Sequence, residues 1–210
     1  MITVLIADDH AILREGLKQI LAGTPDIMVV DETEDGRDVI KKVGEKDYDV
    51  ILLDISLPGR NGIDICKQLK SMNSYQHILM LSMYPEEQYA LRSIRAGAAG
   101  YLTKKSVSSE LITAIRKVAR GERYISSTLA EALASKLTNG ATNLRHENLS
   151  DREYEIMCMI ASGKTCTEIA RDLSLSINTV STHRARILKK MDMKTNAELT
   201  YYSFQNQLID

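Results

Sequence analysis

The first 120 residues alternate five short apolar runs with longer amphipathic segments. Apolar runs of this length favour buried strands, and the segments between them have the spacing of amphipathic helices. The strand candidates are residues 3–7, 28–31, 50–53, 78–81 and 100–102. Strands that alternate with helices predict a doubly wound α/β domain, in which a five-stranded parallel sheet carries helices on both faces. We place this domain at residues 1–120.

Charged side chains follow three of the predicted strands. Asp8 and Asp9 come after the first apolar run, Asp54 ends the third, and Lys104 follows the last. The carboxyl ends of parallel strands meet at one edge of a sheet, so these side chains are expected to converge. Together they could bind a hard divalent cation, supply an aspartyl nucleophile and hold a phosphoryl group. The alternative is that each aspartate is a solvated turn residue.

The composition limits the compartment and the partners. The chain of 210 residues is 44% hydrophobic and carries a net charge of -1, so any surface for nucleic acid must be local. Cys66, Cys158 and Cys166 are widely spaced, which argues against a disulfide framework or a structural zinc site. The N-terminus lacks a signal-peptide pattern, and no apolar run reaches 18 residues. We therefore expect a cytoplasmic protein without membrane association.

Residues 149–210 have a different, all-helical pattern. Ser150 precedes Glu153 and Thr165 precedes Glu168, and both pairs have the spacing of a capping box at a helix start. Two more amphipathic runs follow, which predicts a four-helix domain that contains a helix-turn-helix. Between the domains, the segment 121–148 has one candidate helix at 126–137 and then a polar stretch, so we interpret it as a linker.

The third helix of this second domain, at residues 178–191, has two contrasting faces. Val180, Ile187 and Met191 form an apolar stripe at 100° per residue. The opposite face is small, polar and basic, as expected for a helix that approaches base edges and phosphates. Basic residues also suit the end of any helix because of its dipole, so charge alone does not decide the function.

Residues 1–120 resemble a CheY-like receiver domain, which has a flavodoxin-like fold. The resemblance is carried by IADDH, LLDISLPGRNG, LMLS and GYLTK. It implies that a sensor histidine kinase phosphorylates Asp54. It also implies that Mg²⁺ is bound by Asp9, Asp54 and the backbone carbonyl of Ser56, with Asp8 acting through water, and that Lys104 stabilises the phosphoryl group.

The same resemblance implies two switch residues. Ser82 would hydrogen-bond the phosphoryl group, and Tyr101 would change its position when Ser82 does. The alternative for Tyr101 is an ordinary half-buried tyrosine of the strand. Many receivers have a proline and a cis bond after the lysine, where this chain has Lys105; a cis bond without proline would cost about 2.5–4 kcal/mol. Met83 is bulkier than the small residue common beside the switch hydroxyl, which predicts slow self-dephosphorylation.

Residues 149–208 resemble the LuxR-type, or GerE, DNA-binding domain through LSDREYEIMCMIASGKTCTEIARDLSLSINTVSTHRARILKKM. The two halves together are similar to the NarL/FixJ family of response regulators. The resemblance implies that bases are contacted by Ser181, Thr182 and Ala185. It implies phosphate contacts from Thr165, Thr179, Arg186 and Lys189. His183 would lie against the DNA backbone or, alternatively, at the edge of the domain core, and Asn196 stands where an arginine is frequent.

These resemblances predict a DNA-binding transcriptional regulator that is not an enzyme. Its expected partners are a sensor histidine kinase, double-stranded promoter DNA, RNA polymerase and a second copy of the chain. Tyr201, Tyr202 and Phe204 lie on the last helix, where aromatic residues more often pack internally, but any that remain exposed suit a dimer contact, which the family resemblance favours. Phosphorylation would either unmask the recognition helix or drive dimerisation, and the sequence leaves both open.

Two other functions remain to be compared with this one. A haloacid-dehalogenase-like phosphatase would have the motif D-x-D, whereas this chain has adjacent acids. A DNA-binding protein that does not need phosphorylation would have a degenerate acidic site, whereas Asp9, Asp54 and Lys104 are all present.

Overall fold

The computed structural model describes residues 1–127, 129–131, 134 and 144–209. The chain forms two compact units, Met1–Ser135 and Lys136–Asp210. The first unit is built on a parallel sheet, and the second, over its described residues, is helical.

A five-stranded parallel sheet with the order β2-β1-β3-β4-β5 forms the centre of the first unit. The strands are β1 (Ile2–Ala7), β2 (Ile27–Thr33), β3 (Val50–Asp54), β4 (Ile78–Ser82) and β5 (Gly100–Thr103). Every residue of β3 and β4 is buried, as expected for strands covered on both faces. All five predicted strands are confirmed, and the order reverses between β1 and β3, where doubly wound sheets have their ligand crevice.

Five helices cover this sheet. They are α1 (Ala11–Ala22), α2 (Gly36–Glu45), α3 (Gly62–Met72), α4 (Glu86–Arg95) and α5 (Val107–Ala119). Leu17 of α1 and Leu111 of α5 belong to one buried cluster with the β1 residues Val4 and Ile6. The predicted doubly wound α/β fold is therefore confirmed.

The chain after α5 packs back onto the first unit. The Tyr124 N–H donates to the Ala99 carbonyl at 2.9 Å, and the Tyr124 hydroxyl donates to Glu110 Oε2 at 2.6 Å. The Ser126 hydroxyl donates to the Glu86 carboxylate at the start of α4. Residues at the beginning of the predicted linker are thus held by the sheet unit, and the domain limits of 120 and 149 remain predictions. The helix predicted at 126–137 lies largely outside the described residues.

Four α-helices and a short 3-10 helix (Arg145–Asn148) form the described part of the second unit. The α-helices are α6 (Asp151–Ala161), α7 (Cys166–Asp172), α8 (Ile177–Met191) and α9 (Asn196–Gln205). Each starts after a hydroxyl side chain that accepts a hydrogen bond from the first turn, namely Ser150, Thr165, Ser176 and Thr195. The first two caps are the predicted capping boxes, with Glu153 and Glu168.

None of the helices described in either unit is both long enough and apolar enough to cross a membrane.

Candidate functional site

The carboxyl ends of four strands bring the predicted acidic site together. Asp8 follows β1, Asp54 ends β3, Ser82 ends β4 and Lys104 follows β5. The register aligns Asp54 with Leu81 and Ser82 with Thr103, so these strand ends lie side by side. Parallel pairing of neighbouring strands is what places residues more than 40 positions apart in one crevice.

Lys104 lies between two buried carboxylates. Its Nζ is 2.8 Å from Asp54 Oδ2, with hydrogen-bond geometry, and forms an ion pair with Asp8 Oδ2 at 2.7 Å. The side chains of Lys104, Asp8 and Asp54 are 4%, 0% and 2% exposed. A buried charge is stable only when it is paired, so the lysine and the two acids depend on one another.

Burial controls the ionisation of this triad. Burial raises the pKa of Asp54 above its usual range and the nearby Asp8 charge adds to the effect, whereas Lys104 acts in the opposite direction. Burial also opposes the charged form of Lys104, but the attraction of Asp54 and Asp8 outweighs it and raises the lysine's pKa. The ammonium group is therefore retained at neutral pH, next to a carboxylate that is poorly solvated.

The acidic pocket has the ligands that a hard cation requires. Ligand atoms of Asp8, Asp9, His10 and Asp54 all lie within 4.8 Å of one another. Asp8 Oδ2 and Asp9 Oδ1 are buried and accept no hydrogen bond from the part of the chain that the structure describes; each has only an ion-pair contact. A carboxylate oxygen can accept from more than one positive group, so each of these oxygens could also bind a cation, and the residues present fit a divalent cation. The Ser56 amide donates to Asp54 Oδ1 at 3.2 Å and so orients this carboxylate.

His10 and Arg14 contribute to this pocket, and sequence reasoning did not assign them a role. His10 Nδ1 is 2.7 Å from Asp9 Oδ1, and Arg14 donates to the Asp8 carbonyl at 2.6 Å. His10 directly follows the paired acids and Arg14 lies one helical turn later, so their positions beside Asp8 were the available signal.

The start of α3 lies directly against the backbone of Asp54. Asn61 caps this helix by accepting a hydrogen bond from the Ile63 N–H at 2.9 Å, and the Gly62 N–H donates to the Ile55 carbonyl at 2.7 Å. A Cβ atom at Gly62 would lie 2.0 Å from the Asp54 carbonyl oxygen. Only glycine allows this approach, which holds the strand end in place.

The predicted switch residues are buried beside the acidic pocket. The Ser82 hydroxyl accepts a hydrogen bond from the Tyr84 N–H at 3.1 Å, and the Tyr101 hydroxyl donates to the Tyr84 carbonyl at 2.8 Å. Tyr101 is fully buried, and this burial raises the pKa of its hydroxyl. Both side chains thus contact the β4–α4 loop, and their switching roles remain predictions.

Two residues that depart from the receiver pattern lie at the same edge. The Lys104–Lys105 bond is trans, since the described residues contain no cis peptide bond. Met83 is 61% exposed next to Ser82, and its predicted effect on dephosphorylation remains untested.

The apolar stripe of α8 packs as the sequence predicts. Val180, Ile187 and Met191 are fully buried. The opposite face is exposed and contains the predicted DNA-contact residues Ser181, Thr182, Ala185, Arg186 and Lys189, and Thr179 is exposed in the first turn. Thr165 is exposed at the start of α7, where its hydroxyl is engaged in the capping box with Glu168. α7 and α8 are joined through Ser174, which has a left-handed backbone with φ 52°.

The basic side chains in the second half of α8 fall into two groups, those with a hydrogen-bond or ion-pair partner in the same unit and those without one among the described residues. Arg184 donates to Asn196 Oδ1 at 2.7 Å, and Lys190 contacts Glu153 Oε2 at 2.6 Å. Among the described residues, Arg186 and Lys189 have no such partner, so they are the cations available to an external anion. Asn196, which stands where an arginine is frequent, therefore positions a neighbouring arginine.

His183 lies at the edge of the packed stripe. Its Nδ1 atom is buried without a hydrogen-bond partner among the described residues, and burial lowers the pKa of its ring. This position favours the core-edge interpretation, while a contact with the DNA backbone stays a prediction.

The aromatic residues of α9 are not equivalent. Tyr201 and Phe204 are exposed, whereas the Tyr202 hydroxyl is 3.0 Å from His146 Nδ1 in the same unit. Tyr202 therefore packs internally, and only the other two are available to a second molecule.

Both units match known protein families. Residues 4–116 match the response regulator receiver domain, and residues 147–203 match the bacterial regulatory proteins of the luxR family. The chain is 38% identical to the transcriptional regulatory protein LiaR of Bacillus subtilis (strain 168), over 100% of both chains. The chain belongs to the NarL/FixJ family of response regulators.

Further comparisons agree with this family assignment. The chain is 36% identical to the response regulator UvrY of Escherichia coli (strain K12), over 99% of this chain and 96% of UvrY. A solved structure of RcsB from Salmonella enterica serovar Typhimurium, bound to the promoter P1flhDC in the presence of phosphomimetic BeF3-, is similar with a TM-score of 0.64. That pair is 27% identical, and the match covers 96% of this chain and 97% of RcsB. The regulator is thus a two-component response regulator with a receiver and a LuxR-type DNA-binding domain.

Proposed function

We propose that phosphorylation of Asp54 controls the binding of this regulator to promoter DNA. The observation that carries this proposal is the position of Lys104, which lies between Asp54 and Asp8 in a buried acidic pocket. On its second unit, the same chain has an exposed helix face that carries Arg186 and Lys189, two cations without a partner among the described residues. An input site and an output surface are therefore present in one molecule.

In the proposed reaction, one oxygen of Asp54 attacks the phosphorus of a phosphohistidine on a sensor kinase. The P–N bond breaks, its electron pair returns to the imidazole, and an acyl phosphate forms on Asp54. The attacking group must be ionised, and Lys104 favours that form against the effect of burial. Lys104 would then contact the phosphoryl oxygens as a point charge.

The cation that fits the pocket is proposed to be Mg²⁺. Asp9, Asp54 and the Ser56 carbonyl would hold it directly, and Asp8 would act through water, which suits an ion that prefers oxygen ligands and retains several waters. Bound Mg²⁺ would reduce the repulsion between the carboxylates and the phosphoryl group.

Ser82 and Tyr101 are proposed to report the phosphorylation. Both contact Tyr84, through its N–H and its carbonyl respectively. If the Ser82 hydroxyl moved to bond a phosphoryl oxygen, the Tyr84 N–H would lose its acceptor, and the β4–α4 loop would rearrange. This gives the receiver two states whose populations phosphorylation can shift.

The output surface is proposed to bind the major groove through α8, with base contacts from Ser181, Thr182 and Ala185. Arg186, Lys189, Thr165 and Thr179 would contact phosphates, and His183 would lie near the DNA backbone. We infer a cytoplasmic location, where the DNA and the phosphodonor are found. RNA polymerase is a proposed further partner at the promoter, and we propose no reaction on a separate substrate.

A homodimer is proposed to form through α9. Tyr201 and Phe204 are exposed there and line a surface depression together with Ala161 and Gly163. A two-fold dimer would read half-sites about 10–10.5 base pairs apart. Sedimentation of the phosphorylated chain separates the two possible controls: a dimer indicates controlled dimerisation, and a monomer with higher DNA affinity indicates unmasking.

The phosphorylation site is tested by labelling the full chain with acetyl phosphate and Mg²⁺. We expect one acid-labile phosphoryl group per chain in the wild type and none in Asp54→Asn. Asp47→Asn is the control, because Asp47 is an exposed carboxylate outside the pocket, and it should label like the wild type. Wild-type labelling of Asp54→Asn would refute the assignment.

A further inference from the structure

Three small or polar residues lie in a line on the exposed face of α8. Asn178, Thr182 and Ala185 are separated by four and three positions, so they fall within about 60° of one another on the helix. All three are exposed. Their span of seven residues is about 10 Å along the axis, close to three base-pair steps.

No arginine is placed at the centre of this line. Arg184 projects towards the domain and is held by Asn196 Oδ1 at 2.7 Å. Arg186 lies about 80° from Asn178 around the helix, at the side of the face, where phosphates flank the groove. Arginine and lysine are the side chains that most often read guanine. Lys189 is the cation on this face, but it lies in the last turn of α8, where a phosphate contact is proposed, so the earlier turns from Asn178 to Ala185 have no guanine reader.

The Thr182 hydroxyl is already used by the helix itself. It donates to the Asn178 carbonyl at 2.9 Å, one helical turn earlier. This bond uses the hydroxyl proton, so Thr182 has no hydrogen left to donate to a base, and its exposed methyl group is available for an apolar contact. Ala185 offers only a methyl group.

The Asn178 side chain has the opposite character. Its amide has no hydrogen-bond partner among the described residues and lies in the first turn of α8, the part of a recognition helix that reaches base edges. An amide can donate to N7 and accept from N6 of adenine at the same time, and neither guanine nor the pyrimidines offer that pair.

We propose that the outward face of α8 selects A·T base pairs, with Asn178 reading adenine and the methyl groups of Thr182 and Ala185 contacting thymine methyl groups. This inference rests on the proposed function, because it requires that α8 enters the major groove. It adds the chemical class of operator that the helix recognises.

The operator class is tested by selection from random duplex DNA with the full phosphorylated chain. We expect enriched half-sites with A·T pairs at two or three consecutive or nearly consecutive positions. Footprinting with chemically modified bases then locates the pairs under α8. Enrichment of G·C pairs at those positions would overturn the proposal.

The thymine contact is tested atom by atom with deoxyuridine, which lacks only the methyl group. Replacing the critical thymine should weaken binding about fourfold, the factor expected for one buried methyl group. This difference should vanish in Thr182→Ser, which keeps the hydroxyl and loses the methyl, and persist in Thr182→Val, which keeps the methyl. Thr200→Ser is the matched control, since the Thr200 hydroxyl also donates to a carbonyl one turn earlier, that of Asn196, but lies on α9.

The adenine contact is tested with 7-deazaadenine, which removes the N7 acceptor. We expect at least a fivefold loss of affinity in the wild type and almost none in Asn178→Ala. An equal loss in both proteins would refute the role of Asn178. If the chain binds no duplex DNA in either phosphorylation state, the proposed function fails too; sequence-specific binding that ignores these substitutions overturns only the present inference.

Discussion

At the scale of single residues, Gly62 is a position where the addition of one methyl group should clearly destabilise the receiver. A methyl group there would meet the Asp54 backbone at 2.0 Å, and backbone cannot rotate away as a flexible side chain can. We expect Gly62→Ala to lower the free energy of unfolding by about 1–3 kcal/mol, as overpacking does. Urea unfolding measures this, and acetyl phosphate labelling should fall in parallel.

Gly16→Ala is the matched control for this prediction. Gly16 lies within α1, and a Cβ atom there would meet nothing within 4 Å. Alanine should therefore stabilise the helix by about 0.5–1 kcal/mol. Similar effects of the two substitutions would contradict the steric argument.

Asp31 gives the receiver a defined response to acid. Lys42, then Lys46 and Tyr48, hydrogen-bond its carboxylate and lower its pKa to about 2. Because this folded-state pKa is below the ordinary value of 3.8, Asp31 stabilises the fold above that value, and the contribution is lost as the pH falls towards 2. The side chain is 26% exposed, so we expect Asp31→Asn to lower stability by only about 1 kcal/mol at pH 7.

Urea unfolding at several pH values checks this prediction. The difference between the wild type and Asp31→Asn should shrink as the pH falls from about 5 towards 3, since protonation removes the same charge from the wild type. A difference that does not change with pH would mean that Asp31 acts through packing.

Residue-level prediction from sequence succeeded where strand ends determine position. Asp8, Asp54 and Lys104 could be brought together because parallel strands end at one edge. The pairing of Arg184 with Asn196 could not be predicted, because it depends on the angle between two helices, and hydrophobic periodicity gives no information about that angle. Periodicity placed His183 at the border of the apolar stripe, but its buried nitrogen appears only once the neighbouring helices are in place.

At the scale of elements, the start of the segment after α5 makes contacts that its sequence pattern does not predict. The pattern of 121–148 is polar, which is typical of a linker, yet Tyr124 pairs with Ala99 and Glu110 of the sheet unit. Those contacts join residues that are 14 or more positions apart, and no local pattern contains them. The strands themselves were predictable because their apolar runs coincide with their burial.

Tyr124→Phe tests whether this segment belongs to the fold of the receiver. Tyr124 is 9% exposed and donates to a carboxylate, so the loss of its hydroxyl should cost about 1–2 kcal/mol of stability. Tyr75→Phe, at a side chain that is 86% exposed, should change nothing measurable. Urea unfolding measures the stability of both variants. If Tyr124→Phe were as neutral as Tyr75→Phe, the segment would not contribute to the stability of the receiver and would act as a free linker.

At the scale of the whole molecule, a net charge of -1 makes DNA binding depend on a few local cations. Lys189 is exposed and has no ion-pair partner among the described residues, whereas its neighbour Lys190 is paired with Glu153. We expect Lys189→Ala to reduce the slope of log affinity against log salt concentration by about 1. Lys190→Ala should reduce it by clearly less.

Titrations of duplex DNA at four or five salt concentrations measure both slopes with the full chain. Because the two variants remove the same charge from adjacent positions, net charge is the same in both. Equal slopes would show that the ion pair with Glu153 does not withhold Lys190 from the phosphates.

The hydroxyl caps of the second unit also bear on how fast each half of the chain folds. Every cap joins residues only three positions apart, as Ser150 and Glu153 do, so helix starts form without closing a long loop. The sheet instead requires β1 to meet β3, which brings Thr3 to Asp49 across 46 positions. Refolding should therefore have two phases, with helical local contacts forming first. For a short time after dilution from denaturant, the helix that carries Arg186 and Lys189 would be formed before Asp54 has a buried pocket around it.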